Sequence, residues 1–335
     1  MHLEDYAALG RSELRVSPLA LGTMTFDTGG AWPSRENQPA AVLARYLELG
    51  GNYLDTGNGA VKAGGQTVVG TYIAQNSIRR GDLVIAGKFN VEWDGETPGR
   101  KAVIAGFEQA LRRLRTDYLD LYWLDNWDIQ APLEDILAAL HDLVQSGKLR
   151  YFGISDAPAW KVAHAHLLAQ SNGWARFIGL QIEYSLAARL FENELIPLAT
   201  GLGLGVVSHS PLSGGLISGK YKPANNAGMR RGHAAQLAQR PDEQDLEIVD
   251  ALFRVADELG TTTARVALAW AMGRLGVSST IIGVHTLEQL NEDIGALDVQ
   301  LSPEQTATLD ALTIPNPVMT LPLPLHNAAP LCCVD

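Results

Sequence analysis

Short apolar runs alternate with amphipathic helical stretches along the chain, from about residue 18 to residue 312. One nearly continuous run, Leu119-Asp120-Leu121-Tyr122-Trp123-Leu124, stops at the carboxylate of Asp125. A strand that is apolar on both faces is typical of a parallel sheet covered by helices. Runs of this kind predict eight strands, at residues 18–22, 52–55, 83–88, 119–124, 150–155, 177–183, 204–208 and 279–283.

Between these runs, apolar residues recur with helical spacing. The predicted helices cover residues 36–49, 67–77, 101–115, 132–146, 160–170, 194–200, 245–259, 263–275, 286–294 and 303–312. Eight strand–helix units in a chain of 335 residues predict an α/β protein, a single-domain (β/α)8 TIM barrel spanning residues 1–335. We expect a polar surface loop at residues 219–240 and an irregular C-terminal tail at residues 313–335.

The main alternative fold is an open, doubly wound sheet. Such a sheet usually carries a Gly-rich phosphate-binding turn after its first strand. Here the first predicted strand is followed by Gly22-Thr23-Met24-Thr25-Phe26, which lacks that pattern. The barrel is therefore favoured.

Composition and charge limit the kinds of partner that the protein is expected to bind and the cell compartment in which it is expected. The net charge of −11 argues against nucleic-acid binding, because a phosphate-binding surface needs an excess of Lys and Arg. The two cysteines, Cys332 and Cys333, are adjacent and suit neither a stabilising disulfide nor a metal site. No signal peptide or membrane-spanning run is visible. We predict a cytoplasmic protein without a membrane partner or metal, and the sequence carries no signal for an oligomeric state.

Polar side chains follow most of the predicted strands. They are Asp55, Lys88, Asp125, Ser155 with Asp156, Gln181 with Glu183, Ser208-His209-Ser210, and Gly283 with His285. In a barrel, the carboxyl ends of the strands converge on one mouth, where the chemistry takes place. A lysine between the two carboxylates of Asp55 and Asp125 is an acid–base arrangement. Three other interpretations stay open: an ion pair of Asp55 with Lys88 at the rim, a Schiff-base lysine, and a solvated loop position for Asp125.

Several ordered motifs resemble those of the aldo-keto reductases. They include Leu9-Gly10-Arg11-Ser12, Asn52-Tyr53-Leu54-Asp55-Thr56, Gly153-Ile154-Ser155, Gln181-Ile182-Glu183-Tyr184-Ser185 and Ser210-Pro211-Leu212-Ser213-Gly214. The resemblance extends over about residues 8–312. It implies a (β/α)8 barrel and, usually, NADPH-dependent carbonyl reduction of a small-molecule substrate without a Rossmann turn.

The resemblance also implies a catalytic tetrad of Asp, Tyr, Lys and His, from which this chain departs twice. The Asp corresponds to Asp55 and the Lys to Lys88, but the Tyr position is Ala60 and the His position is Asp125. Since the Tyr is the family's proton donor, ordinary carbonyl reduction should be impaired. General acid–base catalysis typically contributes about 10²–10⁴-fold.

The cofactor pocket can be assigned by the same resemblance. Ser155 and Gln181 match residues that hold the nicotinamide carboxamide, and Asp156 replaces a usual Asn. His209 takes the position of the aromatic ring that stacks on the nicotinamide. The residues that match the pyrophosphate loop are Ser210, Leu212, Ser213 and Gly214.

The adenosine end of this pocket differs more from the family. His285 stands after the strand-eight Gly283, where this branch often has an Arg that binds the 2′-phosphate. A neutral His loses the bidentate contact with phosphate. Gln289 matches the adenosine pocket, and Asp293 adds a carboxylate where an Asn is usual. We therefore expect NADPH or NADH as the cofactor, without a clear preference for NADPH.

Three functional hypotheses follow. The first is a redox enzyme in which a protonated Asp125 polarises a carbonyl or conjugated enone. The second is a non-redox dehydratase, isomerase or cyclase that uses Asp55, Lys88 and Asp125 for proton transfer and needs no cofactor. The third is a non-catalytic binding protein. Trp32, Trp93 and Trp127 follow three of the strands, and either line an apolar substrate pocket or pack as ordinary loop residues.

Overall fold

The computed structural model of the protein describes residues 1–26, 38–58, 63–90, 99–125, 132–219 and 243–314. Eight parallel strands form a closed barrel in the order β10-β3-β4-β5-β6-β7-β8-β9, which confirms the predicted (β/α)8 fold. The barrel strands are β3 (Leu19–Gly22), β4 (Tyr53–Asn58), β5 (Val84–Asn90), β6 (Leu119–Asp125), β7 (Leu149–Ser155), β8 (Gly179–Glu183), β9 (Gly205–His209) and β10 (Val277–Gly283). All eight coincide with predicted strands to within a few residues.

Ten α-helices of the described ranges surround the barrel or close the chain. They are α1 (Pro39–Glu48), α2 (Ala63–Gln75), α3 (Arg100–Leu114), α4 (Leu133–Gln145), α5 (Ala159–Ser171), α6 (Leu195–Leu202), α7 (Glu243–Leu259), α8 (Thr263–Met272), α9 (Leu287–Ile294) and α10 (Pro303–Leu312). Helix α2 begins four residues before the predicted start at residue 67, because Gly64 and Gly65 weaken the helical signal there. No helix in these ranges is both long and apolar enough to cross a membrane.

The sequence pattern missed a short antiparallel hairpin before the barrel. It consists of β1 (Ala7–Ala8) and β2 (Arg15–Val16), with Ala7 opposite Val16. Two-residue strands are too short to show alternation, so periodicity could not reveal them. Leu9, Leu14 and Val16 of this segment are buried with the side chains inside the barrel. The hairpin therefore closes the end of the barrel that is opposite the carboxyl ends of the strands.

The residues buried inside the barrel form a cluster separate from the larger core between strands and helices. The interior cluster contains Ala20, Tyr53, Val84, Ala86, Leu121, Trp123 and Val207, besides the hairpin residues. Trp123 has no exposed surface, and it is the largest side chain in the cluster. A filled interior makes the barrel a rigid support for the polar groups at its mouth.

A buried carboxylate also links three strands on the outside of the barrel. Asp120 is 3% exposed and accepts a hydrogen bond of 3.0 Å from the backbone N–H of Ile85. Its oxygens lie 2.7 Å from the guanidinium of Arg80 and 3.5 Å from that of Arg150. Both guanidinium groups lie over the ring of Tyr118, at 4.1 and 4.5 Å from its centroid.

We expect the Asp120→Ala variant to lose about 3 kcal/mol of its free energy of unfolding, because the partly buried Arg80 then lacks its counter-charge. Urea denaturation measures this loss. The control is Asp82→Ala, which removes an exposed pair with Arg79 and should cost less than about 1 kcal/mol. Equal losses in the two variants would contradict a structural role for Asp120.

Candidate active site

The strand register brings the predicted polar residues to one mouth of the barrel. Ser155 lies beside Gln181, and Glu183 lies beside His209. On the other side of the barrel, Asn90 lies beside Asp125. Gly283 and Gly22 are neighbours where β10 meets β3. The barrel therefore brings together residues that are more than 200 positions apart in the sequence.

At the mouth, Lys88 forms an ion pair with Asp125. Lys88 Nζ lies 3.7 Å from Asp125 Oδ1, and their side chains are only 13% and 16% exposed. Lys88 also donates a hydrogen bond of 3.2 Å to the hydroxyl of Ser155. Strands β5 and β6 are adjacent, and Asp125 at the end of β6 stands opposite Asn90, two residues after Lys88 on β5. The ammonium is therefore oriented by Asp125 and Ser155.

Asp55 does not share the ammonium with Asp125, contrary to the prediction of a lysine held between two carboxylates. Asp55 Oδ2 instead accepts a hydrogen bond of 2.8 Å from Gln181 Nε2, and Oδ1 accepts one of 3.0 Å from the N–H of Gly57. Asp55 is 5% exposed and Gln181 is 1% exposed. The carboxylate of Asp55 thus fixes the amide of Gln181, which the family resemblance assigns to the nicotinamide.

A second acid–base pair, between His209 and Asp156, escaped the sequence analysis. His209 Nε2 lies 3.0 and 3.1 Å from the two carboxylate oxygens of Asp156, and Nδ1 lies 3.1 Å from the hydroxyl of Ser210. Burial raises the pKa of Asp156, but the hydrogen bond and charge of His209, together with Lys88 and Ser155, outweigh burial and lower it below its ordinary value. The sequence pointed to this pair only through two replacements. Asp156 stands where the resemblance gives an Asn, and His209 stands where it gives the aromatic ring that stacks on the nicotinamide.

The segment after β9 is a tight turn, in which the N–H groups of Ser213 and Gly215 each donate a hydrogen bond of 2.8 Å to the carbonyls of Ser210 and Leu212. Ser210, Ser213, Gly214 and Gly215 all have positive φ angles, of 52°, 48°, 66° and 95°. Successive residues of this kind can form a concave array of N–H groups that binds anions. The hydroxyl of Ser213 lies 2.8 Å from that of Ser185, which follows β8. This contact joins the turn, which includes Leu212, to the loop after β8. The turn is where the resemblance expects the pyrophosphate.

The predicted adenosine residues gather at α9. The N–H of His285 donates a hydrogen bond of 2.8 Å to Gln289 Oε1, and Thr286 caps the helix by accepting a hydrogen bond from the N–H of Gln289. Gln289 and Asp293 are four residues apart and share one face of α9. Asp293 is 7% exposed. A helix N-terminus favours an anion, so His285 stands at a suitable place for a phosphate.

Some predicted positions lie outside the described residues. They are Ala60, Trp32, Trp93, Trp127, Cys332 and Cys333, with most of the predicted loop at 219–240 and of the tail at 313–335. Gly219, Thr313 and Ile314 are the described residues of those two segments.

Comparison with known proteins assigns the family. The sequence profile of the aldo/keto reductase family matches residues 18–314. A norsolorinic acid reductase of Emericella nidulans is 33% identical over 90% of this chain and 79% of its own. An uncharacterised oxidoreductase of Bacillus subtilis is 36% identical over 90% and 93% of the two chains. A versiconal hemiacetal acetate reductase of Aspergillus parasiticus is 28% identical over 94% and 98%. Because the profile covers all eight barrel strands and the residues at their mouth, the chain belongs to the aldo/keto reductase family.

Proposed function

We propose that this protein is an NAD(P)H-dependent oxidoreductase that reduces a carbonyl group or conjugated enone of a small organic compound. Family membership supports this activity. Two of the relatives are named as reductases of norsolorinic acid and of versiconal hemiacetal acetate. These names favour a substrate from secondary metabolism for this chain as well.

The residues of the mouth fit a nicotinamide cofactor, which supplies a hydride when bound. Ser155, Gln181 and His209 lie together on three consecutive strands, where they can hold the carboxamide and cover the ring. The positive-φ turn at residues 210–215 offers backbone and hydroxyl donors for a pyrophosphate. His285 and Gln289 can contact the adenosine end.

The observation that carries the proposal is the hydrogen bond of 3.2 Å between Lys88 and Ser155. It puts a cationic proton donor beside the residue expected to hold the nicotinamide. Because Lys88 and Asp125 form an ion pair, we assign proton donation to the ammonium and its orientation to the carboxylate. This assignment replaces the protonated Asp125 of the sequence-based hypothesis. Lys88 then gives its proton to the substrate oxygen, the role that the family's phenol has elsewhere.

A second candidate function is a non-redox reaction on the same residues. Lys88 lies 3.7 Å from Asp125 and His209 lies 3.0 Å from Asp156, and groups paired in this way can exchange protons with a substrate without a nicotinamide. A dehydratase, isomerase or cyclase built on these pairs would be active in the absence of cofactor. Cofactor binding therefore separates the two functions.

The deciding measurement is a calorimetric titration of the protein with NADPH and NADH. We expect both to bind, with little preference for NADPH. The His285→Arg variant should bind NADPH about 10-fold more tightly, because a hydrogen bond to a charged group contributes about 1.5–3 kcal/mol. Its affinity for NADH should stay unchanged.

The matched control is His164→Arg, which changes an exposed histidine on α5 and should leave both affinities unchanged. If the wild-type protein binds neither nucleotide at millimolar concentration, the redox proposal is wrong. Product formation without cofactor would then support the non-redox candidate.

A further inference from the structure

An unbroken line of hydrogen bonds runs from His209 to Lys88. His209 Nε2 lies 3.0 Å from Asp156 Oδ2, the hydroxyl of Ser155 donates to that same oxygen at 3.1 Å, and Lys88 Nζ donates to the hydroxyl at 3.2 Å. The two distances that involve nitrogen are within the range of ordinary hydrogen bonds, and the O–H···O distance of 3.1 Å between Ser155 and Asp156 is slightly longer than usual. The line crosses from β9 to β5 through the end of β7.

The two ends of this line differ in their access to solvent. The side chain of Lys88 is 13% exposed, whereas those of His209 and Asp156 are 25% and 33% exposed. Charged and titratable groups near His209 are Asp156, which it contacts, and Glu183, its register neighbour on β8. The second nitrogen of the imidazole lies 3.1 Å from the hydroxyl of Ser210. His209 can therefore take a proton from water and pass it inward.

We propose that His209, Asp156 and Ser155 form a proton relay that returns a proton to Lys88 after each turnover. This inference rests on the proposed function, in which Lys88 loses a proton to the substrate oxygen. The resulting amine accepts a proton from the hydroxyl of Ser155. Ser155 is reprotonated through Asp156 by the imidazolium of His209, and the neutral imidazole then takes a proton from water. One proton moves from solvent to Lys88, and no other bond or oxidation state changes.

The transfer is favourable overall, because an ordinary lysine amine is a much stronger base than an ordinary imidazole. The carboxylate of Asp156 holds the Nε2 proton of His209, and the hydroxyl of Ser155 is at once an acceptor from Lys88 and a donor to Asp156. Such a hydroxyl can pass a proton in either direction by turning. The relay thus accounts for the joint replacement of the usual aromatic residue by His209 and of the usual Asn by Asp156.

The first test needs no cofactor. Nitrogen-15 NMR of the imidazole follows the protonation of His209 in the free protein. Asp156→Asn removes the carboxylate while it keeps an amide of the same shape. We expect the Nε2 resonance of His209 to move in this variant, because Nε2 loses its carboxylate partner, whereas an unchanged Nε2 resonance would overturn the relay whatever the activity.

The second test compares turnover in His209→Phe with that in the wild type. Phenylalanine keeps an aromatic ring, so it can cover the nicotinamide but cannot carry a proton. We expect steady-state turnover to fall at least about 10-fold, within the range of general acid–base effects, and more than the rate of the first turnover. Added imidazole should restore much of the loss. A purely structural role for His209 would give no rescue and an equal fall in both rates.

His164→Phe is the matched control, because it changes an exposed histidine on α5 and should leave both rates unchanged. If the wild type is active and both His209→Phe and Asp156→Asn turn over at the normal rate, the relay is wrong but the proposed function still stands. Failure of the proposed function looks different. The wild-type protein itself would then oxidise no NAD(P)H with any carbonyl or enone, and the relay would be wrong with it.

Discussion

Replacement of Lys88 by methionine is expected to lower kcat by about 10²–10⁴-fold, the usual contribution of general acid–base catalysis. Methionine keeps the length of the side chain but has no proton to give. No phenol stands at position 60 to take over this task, because that residue is an alanine. The measurement is NAD(P)H oxidation with whichever carbonyl or enone compound the wild-type protein reduces.

The Lys148→Met variant is the control for this loss. Lys148 forms an ion pair with Glu108 away from the mouth, with its side chain 46% exposed, and its replacement should change kcat by less than about twofold. The nucleotide affinity of Lys88→Met should remain close to that of the wild type. A kcat within threefold of the wild-type value would refute Lys88 as the proton donor.

The second large effect concerns stability and involves Gly153 and Trp123. A Cβ atom at Gly153 would lie 2.2 Å from Cζ3 of the Trp123 ring and 2.9 Å from the carbonyl oxygen of Gly179. The ring is fully buried inside the barrel and has no room to move away. We expect Gly153→Ala to lower the free energy of unfolding by about 1–3 kcal/mol, as overpacking of a core usually does. Urea denaturation measures the difference.

A double-mutant cycle isolates the contact with the indole ring. Trp123→Leu alone should destabilise the barrel by creating a cavity. In the double variant, the smaller leucine leaves space for the new methyl group, so the combined loss should be less than the sum of the two. Gly81→Ala is the control, because a Cβ there would meet no atom within 4 Å and should change stability by less than about 0.5 kcal/mol. Additive losses in the cycle would mean that the ring does not cause the effect.

The barrel could be predicted because its physical cause is local. A parallel strand covered by helices needs a short apolar run, and each helix needs apolar residues at helical spacing. The end of such a run also places the polar residue that follows it, so the mouth residues could be located before the structure was known. The hairpin of β1 and β2 could not be predicted, since its two-residue strands are too short to show alternation.

The sequence predicted the contact of Lys88 with Asp125 but gave the wrong partner for Asp55. The sequence favoured a lysine shared by Asp55 and Asp125, but Asp55 reaches across the barrel to Gln181 on β8. Strands β5 and β6 pair directly in the barrel, and Lys88 lies 3.7 Å from Asp125. The pair of His209 and Asp156 has the same origin, because their distance depends on how β7, β8 and β9 are aligned.

The sequence by itself determined the type and order of the barrel strands and their helices, the family, and the positions that face the mouth. These properties depend on the polarity of neighbouring residues, which can be read along the chain. Only the tertiary structure decided which carboxylate holds Lys88, which residue fixes Gln181, and how His209 is joined to Lys88. Hydrogen bonds and ion pairs act over a few ångströms, and residues far apart in the chain come within that distance only when the barrel closes.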